Sequence, residues 1–220
     1  MKETSKKEIA FERVLFFSDA IVAIAITLLA LDLKLDFPES HQLSFMDLLS
    51  PWEKYMAFIL SFINIAGAWR THHDFFVYIK KMDERMMAYN ILWLFFVVTL
   101  PFATSTLSTH FGQRPAIFLY SLNIFALSVF QNCLWDYADN QPDFIMREKL
   151  DERHQYDFRL MLNLDMINGL VAIIASFFWP KLAFFLLFFK LPLFVIVTFY
   201  IAGKRRKDIK VTRKNKQSGN

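Results

Sequence analysis

The segment "ERVLFFSDAIVAIAITLLALDLKL", residues 12–35, is almost entirely apolar but carries Arg13, Ser18 and Asp19 close to its start. Its apolar part is long enough to cross a bilayer as a helix, since ~20 residues at 1.5 Å per residue span ~30 Å of hydrocarbon. An ionised side chain inside a membrane costs several kcal/mol, so such residues usually have a partner or mark a pathway. The segment therefore predicts a membrane helix whose polar residues bind to other parts of the protein.

Further apolar blocks of similar length follow the first one along the chain. Hydrophobic residues make up 55% of the 220 residues, with 26 Phe and only 5 Gly. This pattern predicts an all-α membrane protein with six transmembrane helices and no separate soluble domain. The blocks cover residues 14–33, 55–79, 87–109, 115–138, 158–179 and 182–203, so that residues 1–203 form one transmembrane domain.

Basic residues are distributed unevenly between these blocks. Of the 25 Lys and Arg, twenty lie in residues 1–13, 70–85, 139–159 and 204–220, whereas the alternating connections hold four. The positive-inside rule then predicts that both termini lie in the cytoplasm, and we expect a multi-pass protein of the plasma membrane. The basic tail, residues 204–220, directly follows the last predicted helix. This position favours contact with anionic lipid headgroups over binding of nucleic acid.

The sequence contains no motif of a known catalytic site. A Gly-rich phosphate loop, a nucleophile elbow, an HExxH motif and a TVGYG potassium filter are all missing, so we expect neither an enzyme nor a cofactor. Adjacent histidines on a helix point about 100° apart, so His72 and His73 cannot readily bind one metal ion together. We therefore expect no metal site, although a membrane metal- or haem-binding redox protein stays open as an alternative.

Helical geometry separates two sides of the first predicted helix. At about 100° per residue, Ile24, Leu28 and Leu31 lie about 140°, 180° and 120° from Asp19, with Thr27 at the edge of their stripe. Arg13 lies about 120° from Asp19 and most of two turns below it, which argues against an ion pair between them. From the residues alone, the apolar stripe faces lipid or packs in a core.

Several segments together resemble the transmembrane protein 175 family of lysosomal and prokaryotic potassium channels. "RVLFFSD" at residues 13–19 is similar to the family signature RxxxFSD at the start of the first helix. "AIVAIAITLLALDL" follows it directly, and "WRTH" at 69–72 and residues 90–102 match the same family in order. The resemblance covers the first half of the chain well, and the second half only in the number of helices.

The resemblance implies a tetramer in which the first helix of each copy lines a central pore. The family would place Ile24 at an apolar constriction, with Leu28 and Leu31 as further constrictions and Thr27 as a polar neighbour. The permeant ion would be K⁺, in a leak-type potassium-selective channel that is gated and narrowed by these apolar rings. A proton channel of the same fold, with His72, His73 or Asp165 as relays, is the nearest alternative. We expect a structural network that fixes the base of the pore helix and consists of Arg13, Phe17, Ser18, Asp19, Trp69, His72 and Asn90.

Overall fold

The computed structural model describes residues 2–38, 40–141, 143–146, 150 and 152–188. Apart from connecting segments and one isolated β bridge, these residues are helical, which confirms the predicted all-α class. The α1 helix runs on into a short 3-10 helix, Ala30–Asp32, and residues 180–188 are helical after α6. The α-helices are α1 (Lys2–Leu29), α2 (Phe45–Leu49), α3 (Trp52–Phe76), α4 (Glu84–Thr109), α5 (Arg114–Asn140) and α6 (Glu152–Phe178).

Four segments of the described chain are long and apolar enough to cross a membrane. They are Ile9–Asp32, Glu84–Thr109, Arg114–Asn140 and Gln155–Phe178. The α3 helix has 25 residues and lies where the second span is predicted, but polar residues such as Asn64, Arg70 and His72 make it less apolar. Most of the sixth predicted span, with Lys190, and the whole basic tail lie outside the described residues.

The α4 helix lies at the centre of the helix packing. It contacts α1, α3 and α5, and α5 in turn packs along α6. On α1 the residues that face this core are Val22, Ala25 and Leu29, each at most 3% exposed. Their spacing of three and four residues is the helical repeat, so one side of α1 is committed to the chain's own core.

Two connections on the predicted cytoplasmic side are tied together. The α3–α4 connection pairs with the α5–α6 connection through an antiparallel bridge between Ile79 and Ile145. Asp83 begins α4 as its N-cap, because its carboxylate accepts a hydrogen bond from the Met86 backbone N–H at 2.9 Å. The Tyr137 hydroxyl of α5 donates to the same carboxylate at 2.5 Å. The start of α4 is thus fixed to α5.

The connection between α1 and α3 is held by its own polar side chains. Ser44 and Asp47 form a capping box at the start of α2, and His41 lies 2.9 Å from the Asp47 carboxylate. These hydrogen bonds, first from the Ser44 backbone and then from His41, hold the pKa of Asp47 below its usual value. The hydrogen bond and charge of Lys54 likewise lower the pKa of Asp36.

Gly169 on α6 marks a close approach of two helices. A Cβ atom at this position would lie 2.9 Å from the Phe125 Cα atom on α5, which is closer than packed atoms tolerate. Gly169→Ala should therefore destabilise the protein by about 1–3 kcal/mol through overpacking. This loss exceeds the stabilisation that the higher helix propensity of alanine provides. Thermal unfolding in detergent measures the effect. Gly67→Ala on α3 is the matched control, because nothing lies within 4 Å of its added Cβ atom. Equal stability of both variants would contradict the prediction.

Candidate functional site

The base of α1 is bound to α3 through an exposed hydrogen bond. The indole Nε1–H of Trp69 donates to the Asp19 carboxylate at 2.8 Å, across 50 residues of sequence. The Trp69 ring also stacks on His73, with ring centroids 5.5 Å apart. The carboxylate near the start of the first span therefore has a partner on a neighbouring helix, as its cost in a membrane requires.

A second connection, which is fully buried, joins α1, α3 and α4. The Asn90 amide Nδ2 on α4 donates to the Ser18 hydroxyl oxygen at 2.9 Å, and Ser18 donates to the Val14 carbonyl at 2.9 Å. The Asn90 carbonyl oxygen lies 2.9 Å from His72 Nε2. Because a carboxamide oxygen only accepts, His72 must carry its proton on Nε2. Ser18, His72 and Asn90 are each at most 2% exposed, so all three side chains rely on these bonds.

Aromatic rings enclose the His72 side chain. Its ring stacks on Trp93 with centroids 4.3 Å apart and an interplanar angle of 14°, and Phe76 lies at 4.3 Å. Since Nε2 is committed to Asn90, that nitrogen is not available as a metal ligand. Within the described residues, no group of three or more His, Cys, Asp or Glu side chains could hold a metal ion.

A crevice of about 330 Å³ lies beside this network, between α1 and the end of α3. Its acidic and basic side chains are those of Glu12, Asp19, His72 and His73, while the rest of its wall is apolar. The residues that line it are Glu12, Leu15, Phe16, Asp19, His72, His73, Phe76 and Val77.

Arg13 and Phe17 are not part of the network that the sequence predicts. Arg13 is exposed, and among the described residues it has neither a hydrogen bond nor an ion pair. Phe17 is 58% exposed. The reason is geometric: Ser18 and Asp19 point towards α3 and α4, whereas Arg13 and Phe17 both lie about 20° from the direction of Ile24. Of the seven predicted network residues, the structure brings together the other five.

The predicted pore residues lie on a side of α1 that the chain does not cover. Ile24, Leu28 and Leu31 are 58%, 40% and 61% exposed, and Thr27 is exposed as well. The Thr27 hydroxyl donates to the Ile24 carbonyl at 2.8 Å, which leaves its oxygen lone pairs on the exposed side. The role of these four residues in a pore stays a prediction, but their side chains are free to meet other chains or water.

Sequence reasoning missed a second buried polar cluster, between α3, α4 and α5. The Ser61 hydroxyl lies 2.7 Å from the Thr104 hydroxyl and donates to the Tyr120 hydroxyl at 3.1 Å. Asn64 is 3.4 Å from the same Tyr120 oxygen. The available signal was that Ser61 and Asn64 interrupt an apolar helix, because a polar side chain there needs a partner. Asp165, a predicted relay, is half-buried on α6.

Long apolar helices joined by buried hydrogen bonds between side chains define an integral membrane protein. A family model described as "Endosomal/lysosomal potassium channel TMEM175" matches residues 13–101. The matched segment contains α3 and most of α1 and α4, and therefore every residue of the predicted network. The chain belongs to the TMEM175 family, a family of ion channels and not of enzymes. The family resemblance seen in the sequence is thereby confirmed.

Known relatives are similar over different parts of the chain. A protein of Chamaesiphon minutus named as a potassium channel is 34% identical over 152 residues, which are 66% of this chain and 73% of the relative. The endosomal/lysosomal proton channel TMEM175 of Gallus gallus is 34% identical over 140 residues, 58% of this chain and 28% of that protein. A crystal structure of a lysosomal potassium-selective channel TMEM175 homologue from Chamaesiphon minutus has a TM-score of 0.69 at 28% identity. The alignment covers 85% of this chain and 97% of the chain in that crystal structure.

Proposed function

We propose that this protein is a potassium-selective leak channel in which four copies of α1 surround a central pore. The names of the Chamaesiphon minutus relative and of the similar crystal structure support potassium as the permeant ion. A closed ring of identical subunits places the same residue of every copy at the same level of the axis. Four copies of one helix therefore suffice to build a pore.

The two-sidedness of α1 is the observation that carries this proposal. One side packs on the chain's own core through Val22, Ala25 and Leu29. The other side exposes Ile24 and Leu28, together with the Thr27 hydroxyl. A helix that is fixed on one side and free on the other is suited to lining a pore between subunits.

Apolar rings control the ion flow in this proposal. A narrow ring of Ile24 side chains offers a dehydrated ion no ligands, so the pore conducts only when the ring is wide enough to stay wet. Leu28 and Leu31 narrow the pore further towards its outer end, and the Thr27 hydroxyl is the polar group next to them. Conduction requires no cofactor in this proposal, and K⁺ is the permeant ion.

The polar network acts as an anchor in this mechanism. Asp19 and Ser18 hold the base of α1 against Trp69 and Asn90, at positions about 140° and 120° around the helix from Ile24. Because the anchored side is fixed, the free side keeps its direction towards the axis. The polar residues therefore orient the helix, and the apolar residues restrict the ion.

The membrane arrangement is part of the same proposal. Residues 1–203 form a domain with six transmembrane helices, and both termini lie on the cytoplasmic side of the plasma membrane because the basic segments are there. Residues 204–220 form a basic cytoplasmic tail that binds anionic lipids rather than nucleic acid. The proposed partners of each chain are the other three copies in the homotetramer and the lipids of the bilayer.

A proton channel of the same architecture is the second candidate. It is favoured by the name of the Gallus gallus relative, an endosomal/lysosomal proton channel. An apolar constriction that excludes a hydrated cation can still pass protons along a transient water chain. The two candidates share the pore and differ in the ion that carries the current.

Reversal potentials separate the two candidates. Purified protein is reconstituted into planar bilayers under separate gradients of potassium, sodium and protons, with protein-free bilayers as the control. We expect the reversal potential to follow the potassium gradient and to respond weakly to the other two. A reversal potential that follows the proton gradient instead would establish the second candidate, and a lack of current above the control would contradict both.

A further inference from the structure

The exposed stripe of α1 does not end at Ile24 but continues towards the predicted cytoplasmic end. Seven residues at about 100° each bring Phe17 to within about 20° of Ile24, and Arg13 also lies within about 20°. Since α1 is one uninterrupted helix over Lys2–Leu29, this geometry applies along the whole stripe. Ala20 lies between Phe17 and Ile24 on the same side and is exposed.

Phe17 points in a different direction from its neighbour Phe16, although both rings are exposed, at 58% and 69%. The Phe16 ring lines the crevice between α1 and α3 and lies about 100° around the helix from Phe17. The Phe17 ring is 58% exposed and, among the described residues, stacks on no other aromatic ring. The exposed part of the Phe17 ring is therefore free to meet side chains of other subunits.

We propose that four Phe17 side chains form a second constriction of the pore, on the cytoplasmic side of the Ile24 ring. A wider chamber at Ala20 separates the two constrictions, and Arg13 lines the cytoplasmic mouth. This inference rests on the proposed function, because it uses the same pore axis. It adds a residue that the anchoring network was expected to contain.

Side-chain size and charge along the stripe support this assignment. A phenyl ring at position 17 and a branched side chain at position 24 reach further from the helix than the methyl group of Ala20. The two rings lie ~10 Å apart, since seven residues rise 1.5 Å each. Arg13 has no anionic partner among the described residues, and an aqueous mouth keeps its guanidinium hydrated where hydrocarbon would not.

The two rings create an access barrier that can be measured from the cytoplasm. A reagent on this side must pass Phe17 before it reaches position 20, but it need not pass Ile24. Because apolar constrictions exclude charged species, a smaller side chain at position 17 should speed up the reaction. The same truncation at position 16 should leave the reaction rate unchanged, because the Phe16 ring lies in the crevice beside α3 and does not point to the pore axis.

The test measures the rate at which a cationic methanethiosulfonate reagent, applied to the cytoplasmic face, modifies Ala20→Cys and changes the current. The background is Cys133→Ser, since Cys133 is the single cysteine of the chain. We expect Phe17→Ala to raise this rate by about tenfold or more, and Phe16→Ala to leave it unchanged. Phe17→Val serves as a milder variant if Phe17→Ala does not assemble, and should give an intermediate rate.

Each outcome decides the inference. Equal rates in the parent protein and in the Phe16→Ala, Phe17→Val and Phe17→Ala variants would mean that Phe17 forms no constriction. A failure of Ala20→Cys to react in the Phe17→Ala variant, while Ile24→Cys reacts there from the same cytoplasmic side, would contradict the chamber at Ala20. If neither cysteine reacts in a channel that still conducts, the exposed stripe does not line the pore. That result would overturn the proposed function together with this inference, whereas the first two overturn the inference alone.

Discussion

Asn90→Ala is expected to destabilise the protein by about 1–3 kcal/mol, the cost of leaving buried hydrogen-bonding groups without a partner. Asn90 serves two partners on two other helices, the Ser18 hydroxyl of α1 and the His72 imidazole of α3. Ser18 keeps its bond to the Val14 carbonyl, so the larger loss falls on the buried Nε2–H of His72. For a chain of this size, the apparent melting temperature should fall by roughly 3–10 °C.

Thermal unfolding followed by size-exclusion chromatography in detergent measures this loss. Asn140→Ala is the control, because Asn140 is an exposed residue at the end of α5 and its truncation should change stability little. An Asn90→Ala protein as stable as this control would show that the buried network contributes nothing to the fold.

A double substitution tests whether the effect comes from unsatisfied polar groups. Replacing both partners of a buried hydrogen bond by apolar groups can be nearly neutral. The His72 ring already packs between Trp93 and Phe76, so a phenyl ring fits its surroundings. We therefore expect His72→Phe with Asn90→Leu to be more stable than the sum of the single losses predicts.

The sequence was sufficient to predict which helices the polar residues of α1 would join. Asp19 and Ser18 must find partners because water is absent around a membrane helix, and Trp69, His72 and Asn90 carry polar groups at about the same membrane depth. Which of these three residues binds Ser18 and which binds Asp19 could not be predicted. Which amide or indole reaches which oxygen depends on how α3 and α4 rotate about their own axes, and apolar packing over their whole length sets that rotation.

The position of Arg13 in the structure differs from the sequence-based expectation. The sequence groups Arg13 with the network because it is charged and precedes Ser18 and Asp19 in the motif. Its angular position is nevertheless close to that of Ile24, and the structure leaves it exposed without a partner among the described residues. The direction of a side chain is therefore a better guide than proximity in sequence, since the helical repeat alone separates Arg13 from the anchored side.

The α3 helix shows a limit of hydropathy as a predictor of membrane spans. Length and hydropathy identify α1, α4, α5 and α6 as candidates without difficulty. The α3 helix carries polar residues on its core-facing side, among them Ser61 in its first half and His72 near its end, and these residues are buried against α4. A helix that is shielded from lipid by its neighbours can hold polar side chains that would be unfavourable if they faced lipid. Hydropathy alone therefore underestimates the ability of such a helix to span a membrane.

Ile24→Ala is expected to have the largest effect on ion flow, because it truncates the narrowest ring of the proposed pore. Four shorter side chains widen the ring and let it stay hydrated, so the current should rise and the preference for potassium over sodium should fall. A barrier lowered by ~1.4 kcal/mol would raise the current roughly tenfold. Bilayer recordings under bi-ionic potassium and sodium conditions measure both quantities.

Ile91→Ala on α4 is the matched control for this substitution. Ile91 and Ile24 are similarly exposed, at 54% and 58%, and the same atoms are removed, but α4 carries none of the proposed pore residues. Its current and selectivity should therefore equal those of the unmodified channel. Leu28→Ala and Leu31→Ala should have intermediate effects, because both share the stripe with Ile24 but lie towards the outer end of the helix. If Ile24→Ala behaves as Ile91→Ala does, the exposed side of α1 faces lipid or another subunit, and the ion must take a different path through the assembly.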